Sequence, residues 1–184
     1  RDQREKLLKE NVDIKVLAIT TIDGMNLSED GLDLTNWRED LKTPMFKFGP
    51  ENVDDIIKFV KEKKPLNPVF VDCTASYDLP DRYLDILNAG MSIATPNKRA
   101  NSKNIEFYHE LRRVANKMHR RFLYETNVGA GLPIIDTLQN LYKSGDKLTS
   151  FNGIMSGSLS YIFGKLDEGV SFSKAVLEAK ELRY

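Results

Sequence analysis

An acid followed by small hydroxyl residues, Asp72-Cys73-Thr74-Ala75-Ser76, is the first stretch with chemical potential. Small side chains leave backbone N–H groups uncovered, and these suit a ribose, a phosphate or an amide; the same residues equally suit a helix cap. The second is Thr95-Pro96-Asn97-Lys98, where proline stiffens the loop and a lysine follows. Its cation can hold a carboxylate, polarise a reacting oxygen or, if burial lowers its pKa, shuttle a proton; the plain alternative is a surface lysine. In the third, Glu125 precedes a loop containing Gly129 and Gly131 and ending at Pro133. Glycines let several carbonyl oxygens converge, and carbonyls with one carboxylate make a hard-cation site. An anion cradle at the helix start competes with this reading, although Glu125 disfavours it, and so does a simple packing loop. The fourth is Gly153-Ile154-Met155-Ser156-Gly157-Ser158-Leu159-Ser160-Tyr161, whose turn offers N–H groups to a carboxylate or a plain N-cap. His109 and His119 lie ten apart on one expected helix, read as surface residues, and no zinc-ligand cluster accompanies them.

These stretches follow short β runs. Residues 14–19 read as a buried strand, 69–73 as a strand introduced by Pro68, 91–95 as another and 122–124 as a further one. Helices alternate with them. The spacing of Val53, Ile56, Ile57 and Val60 gives one apolar face; Leu79, Tyr83 and Leu87 give another, ended by Gly90. Ile105, Tyr108, Leu111 and Ala115 line a third, Thr35 caps a short helix bearing Trp37 and Leu41, and residues 1–10 read as a helix. This βα alternation predicts an α/β fold with a parallel sheet, whose ligands bind beyond the carboxyl ends of the strands. The texture changes near residues 125–133. Pro133 opens a helix that Gly145 closes, residues 147–154 read as a strand, and two more helices follow, the last beginning at Ser171 or Ser173.

Lys and Arg total 27, as do Asp and Glu, and that balance argues against a nucleic-acid binder. No apolar run is long enough for a membrane helix. One cysteine excludes an internal disulfide and fits a reducing compartment, cytosol or plastid stroma.

In this order, V-D-C-T-A-S, A-T-P-N-K, Y-E-T-N-V-G-A-G-L-P and G-I-M-S-G-S-L-S-Y-I-F-G-K-L closely resemble homoserine dehydrogenase, especially the form fused behind an aspartokinase. The resemblance implies reversible hydride transfer between NAD(P)H and aspartate semialdehyde, giving homoserine on the way to threonine and methionine. It implies that Thr74, Ser76, Pro96 and Lys98 contact the nicotinamide cofactor and that Lys98 reaches the reacting centre. It implies a sodium ion on Glu125 and the carbonyls of Val128, Ala130 and Leu132. Gly157, Ser158 and Tyr184 would border the substrate, the enzyme would be a homodimer, and an aspartokinase domain would lie upstream.

The expected fold is therefore a Rossmann-like parallel sheet over residues 1–124, lacking its first strand and glycine turn, followed by the start of an α+β substrate and dimerisation domain over 125–184. No G-x-G-x-x-G is present, so that turn is expected upstream of Arg1. The family continues past Tyr184 into an acidic T-E-P-D-P-R-D-D stretch, and usually has glycine where Arg183 stands. The chain alone is thus expected to be inactive. Thr20-Thr21-Ile22-Asp23 presents an acid where a 2′-phosphate would want a base, which leans towards NAD. The rival readings are a non-catalytic binding or dimerisation module and another Rossmann-type oxidoreductase.

Overall fold

Residues 3–47, 49, 52–154 and 156–183 are described by the computed structural model. The chain divides into two compact units, Arg1–Leu123 and Tyr124–Tyr184.

The first unit opens with α1 (Arg4–Lys9), β1 (Ala18–Thr20), β2 (Gly24–Leu27), α2 (Trp37–Asp40) and β3 (Phe46–Lys47). It continues with α3 (Asn52–Lys63), β4 (Val69–Val71), α4 (Tyr83–Asn88), β5 (Ser92–Ala94), α5 (Arg99–Ser102), α6 (Ile105–Lys117) and β6 (Phe122–Leu123). Strands β4, β5 and β6 lie side by side and parallel, with Phe70 opposite Ile93 and Ile93 opposite Phe122. Parallel neighbours need crossovers, and α4 and α6 supply them. Helix α4 stops where expected, because Gly90 takes a φ of +87° that other residues resist. Helix α6 starts at Asn104, whose side chain accepts the Phe107 N–H at 2.8 Å. The apolar stripe of α3 buries Ile56, Ile57 and Val60, and these meet Ile86, Leu87, Ile93 and Leu111 in one core. The last four are fully buried, and each contributes about 1.5–3 kcal/mol by leaving water.

Residues 14–19 depart from expectation. The strand here is Ala18–Thr20, and it joins an antiparallel sheet β1-β2-β3 rather than the parallel one. Ile14 is 59% exposed, so the run is not a buried strand. The missed signal is Asp23-Gly24, a hairpin dipeptide. Gly24 has φ +154°, and a Cβ there would sit 2.4 Å from the Phe46 carbonyl oxygen. Thr35 does not cap α2 either; Asn36 holds that position, and Thr35 is tied through its N–H and hydroxyl to Asp33.

The second unit contains α7 (Ile134–Lys143), α8 (Gly157–Asp167) and α9 (Phe172–Glu181). Pro133 is the N-cap residue of α7, and Gly145, φ +89°, follows its end. Ser171 is the N-cap of α9, which packs on α8 and buries Ala175 and Ala179. Residues 147–154 form no strand, and among the described residues none follows Leu123. A strand needs a neighbour for its N–H and C=O groups. The α+β character expected for this region is therefore helical alone among the described residues.

Candidate cofactor site

The parallel strands end on two loops, residues 72–78 after β4 and 95–98 after β5, and a buried polar network joins them. Asp72 is 1% exposed. Its Oδ1 accepts the Thr74 N–H at 2.7 Å, and its Oδ2 accepts the Tyr83 hydroxyl at 2.5 Å and the Asn97 amide at 3.2 Å. The Thr95 hydroxyl donates to the Asp72 carbonyl at 2.9 Å and accepts the Asn97 N–H at 2.9 Å. Asn97 completes the junction: its amide also donates to the Ser76 carbonyl at 3.0 Å, and its Oδ1 accepts the Arg99 N–H at 3.0 Å. Burial first, and then the bond to Asp72, push the Tyr83 phenol far above the ordinary tyrosine range. Tyr83 therefore stays a donor.

The four residues expected to meet a nicotinamide cofactor lie on these two loops. Thr74, Pro96 and Lys98 are exposed and Ser76 is half-buried. The helix-cap reading of the first loop holds alongside, since Ser76 Oγ accepts the N–H groups of Asp78 and Leu79 at the start of a short 3-10 turn. Lys98 is the N-cap residue of α5 and, among the described residues, has no ion-pair partner. Beside it the Arg99 guanidinium stacks over the exposed Tyr77 ring at 3.5 Å, a second link between the loops on their outer side. Sequence reasoning missed Tyr83 and Asn97. Tyr83 sits on the apolar stripe of a helix, where its ring conceals the purpose of its hydroxyl. Asn97 was legible only as part of a loop motif.

Glu125 lies in the second unit. Its carboxylate accepts the Ile135 N–H at 2.9 Å and the Asp136 N–H at 2.8 Å. These are unpaired donors of the first turn of α7, so the acid caps that helix from outside, where the positive end of the dipole favours it. The loop between is tightly turned, with Gly129 at φ +75° and a Cβ there 2.2 Å from Ile134 Cδ1. The other left-handed residue is Ala130, φ +51°, and not Gly131 as the glycine argument expects. The Gly129 and Leu132 carbonyls accept the N–H groups of Leu132 and Ile134. Val128 is half-buried, whereas Ala130 and Leu132 are exposed. Among the described residues no cluster of three or more His, Cys, Asp or Glu side chains forms a metal site. Gly157 and Ser158 form the first turn of α8, capped by Ser156, whose Oγ accepts the Leu159 N–H at 3.2 Å. Tyr184 lies outside the described residues. No helix among them is long and apolar enough to cross a membrane.

Known proteins are similar to this chain in sequence and fold. The family model described as homoserine dehydrogenase, NAD binding domain, matches residues 1–125, and that described as homoserine dehydrogenase matches residues 133–184. The bifunctional aspartokinase/homoserine dehydrogenase of Haemophilus influenzae is 47% identical over 179 residues, which are 97% of this chain and 22% of that protein. The homoserine dehydrogenase of Schizosaccharomyces pombe is 34% identical over 92% of this chain and 46% of its own length. A solved hyperthermophilic archaeal homoserine dehydrogenase in complex with NADPH matches with a TM-score of 0.74 and 26% identity, covering 97% of this chain and 56% of that one. The chain thus spans from about a fifth to about half of the lengths of these relatives. With the nucleotide-binding model alone matching residues 1–125 of 184, on an α/β unit whose loops carry the family's motifs, the chain belongs to the homoserine dehydrogenase family.

Proposed function

We propose that this chain is the cofactor-binding part, and the opening of the substrate and dimerisation part, of an NAD(P)-dependent homoserine dehydrogenase. The observation that carries the reading is the pair of clasped loops at the carboxyl ends of β4 and β5, which present Thr74, Ser76, Pro96 and Lys98 together. Their chemistry fits a nicotinamide cofactor: hydroxyls for ribose and carboxamide, and a cation beside them. The cofactor, when bound, supplies or accepts the hydride that interconverts aspartate semialdehyde and homoserine. Lys98, exposed and without an ion-pair partner among the described residues, would stabilise charge on the substrate oxygen as a proton joins it. The N–H groups at the start of α8, at Gly157 and Ser158, suit the substrate carboxylate, and Tyr184 joins them on the strength of the resemblance alone.

The fuller protein carries an aspartokinase domain upstream, a reading supported by the bifunctional aspartokinase/homoserine dehydrogenase name of the Haemophilus influenzae relative, and works as a homodimer in a reducing compartment, cytosol or plastid stroma. The exposed Leu148, Phe151 and Ile154 support the dimer. A full-length protein that sediments as a monomer at micromolar concentration contradicts it. Sodium is also part of the proposal. Each Glu125 oxygen keeps a lone pair beyond the helix bond it accepts, and one carboxylate with the neutral carbonyls of Val128, Ala130 and Leu132 suits a singly charged ion. The decisive assay follows NADPH absorbance in the full-length protein with aspartate semialdehyde. Oxidation only when both are present is expected; no turnover overturns the reading.

A further inference from the structure

We propose that Tyr83 is a positioning residue: its hydroxyl, acting through Asp72, clasps the two loops that carry Thr74 and Lys98 and so sets how firmly they hold the nicotinamide cofactor. This rests on the cofactor reading above.

Tyr83 lies on neither loop. It begins the crossover helix α4, has no exposed surface, and packs edge-on against Phe122 with ring centroids 5.9 Å apart. A phenylalanine would fill that volume equally well. A buried hydroxyl costs stability unless it is bonded, so this one is explained by its partner rather than by packing. The hydroxyl lies 3.1 Å from Thr95 Oγ1 on the second loop, and its shorter bond, 2.5 Å, goes to a buried carboxylate that no described ion pair neutralises and that is held by three uncharged donors. The two oxygens of a carboxylate move as one body. What grips Oδ2 therefore fixes Oδ1, which holds the Thr74 N–H. The same Oδ2 holds Asn97, immediately before Lys98, and Asn97 in turn holds the Ser76 carbonyl. One hydroxyl on a helix thus restrains both cofactor loops. Without it, Oδ2 keeps only the Asn97 amide at 3.2 Å, and the carboxylate must turn or admit water.

The test compares Tyr83→Phe with Ile86→Val in the full-length protein. Ile86 is fully buried on the same helix and takes no part in the network. Three quantities are read: melting temperature, amide hydrogen exchange in peptides covering residues 72–79 and 95–99, and the Kd for NADPH by fluorescence titration. Tyr83→Phe is expected to speed exchange in both peptides and to raise the Kd about tenfold, the scale of one hydrogen bond to a charged group, with kcat at saturating NADPH changing less. Ile86→Val is expected to lower the melting temperature while leaving exchange in those peptides and the Kd unchanged. Unchanged exchange in Tyr83→Phe overturns the clasp. An equal rise in Kd for Ile86→Val shows general softening and overturns it too. Loosened loops with an unaltered Kd sink the positioning role alone, whereas wild-type protein that does not bind NADPH sinks the cofactor reading beneath it.

Discussion

In the unit Arg1–Leu123, Tyr83, Ile86, Leu87, Ile93 and Leu111 have no exposed surface. In Tyr124–Tyr184 the buried hydrophobic residues described are Ala175 and Ala179, while Phe151, Ile154, Phe163, Phe172 and Leu177 stand exposed. The polar groups differ in the same sense. Asp72, Thr95 and Asn97 are sealed beneath the first unit's loops, whereas Glu125 ties its helix at a half-buried position. A site laid on a finished core can hold its loops by interior hydrogen bonds, which water does not contest. One laid on paired helices with their large side chains outward depends on caps and turns.

The widest gap between the units should appear in stability. Ile86→Ala is expected to cost about 2–5 kcal/mol, against less than about 0.5 kcal/mol for Phe163→Ala in the 184-residue chain. Urea midpoints that fall equally for both would erase the contrast. Next, in the full-length protein, Lys98→Ala should lower kcat/KM by at least ~100-fold, the scale of losing one charged transition-state contact, with circular dichroism unaltered. Near-normal kinetics would return Lys98 to the surface reading.

Glu125→Gln sharpens the comparison within the second unit. Losing the charge at the α7 dipole should cost about 1 kcal/mol in the absence of added sodium. If the carboxylate also binds the ion, wild-type activity will respond to sodium at lower concentration than the variant does. Identical salt responses would leave capping as its whole role. The smallest effect concerns alkali. Because the folded state holds the Tyr83 proton above its ordinary value of 10.0, the unfolded chain loses that proton first. Stability from this group is complete below pH 10.0 and declines as pH rises beyond it. Tyr83→Phe should lack this decline, and parallel urea midpoints for the two proteins across that range would contradict it.

Much of the first unit was readable because helical stripes and strand-end loops are local patterns. The stripe Ile56, Ile57, Val60, the stop at Gly90, and the order of strands and crossovers all follow from neighbouring residues. Partner choice is not local. The apolar run at residues 14–19 has no feature that selects a parallel neighbour over the hairpin that Asp23-Gly24 creates, and the run at 147–154 finds no partner among the described residues. The site was half readable for a related reason. Thr74, Ser76, Pro96 and Lys98 are legible as members of two strand-end loops, but the residues that hold those loops do so across the fold. Tyr83 is 11 positions from Asp72, and Asn97 is 25. Glu125 is legible as a carboxylate ahead of a glycine loop, but its capping of α7 depends on helix donors 10 and 11 residues on.

The accounting at Asn97 has a consequence for directed evolution. Both amide hydrogens, the amide oxygen and the backbone N–H are already committed, each to a different group. Aspartate matches its shape but reverses two of those bonds and faces another carboxylate; leucine matches its volume and satisfies none. A library that randomises residues 97–99 in full-length protein and is selected for cofactor binding should return asparagine almost alone at the first position. At the third, Arg99 contributes a backbone N–H that any residue except proline carries, and a stack on an exposed ring. The loop thus pairs a locked coordinate with a variable one two residues away, and changes aimed at altering cofactor or substrate choice have room only on the outer side.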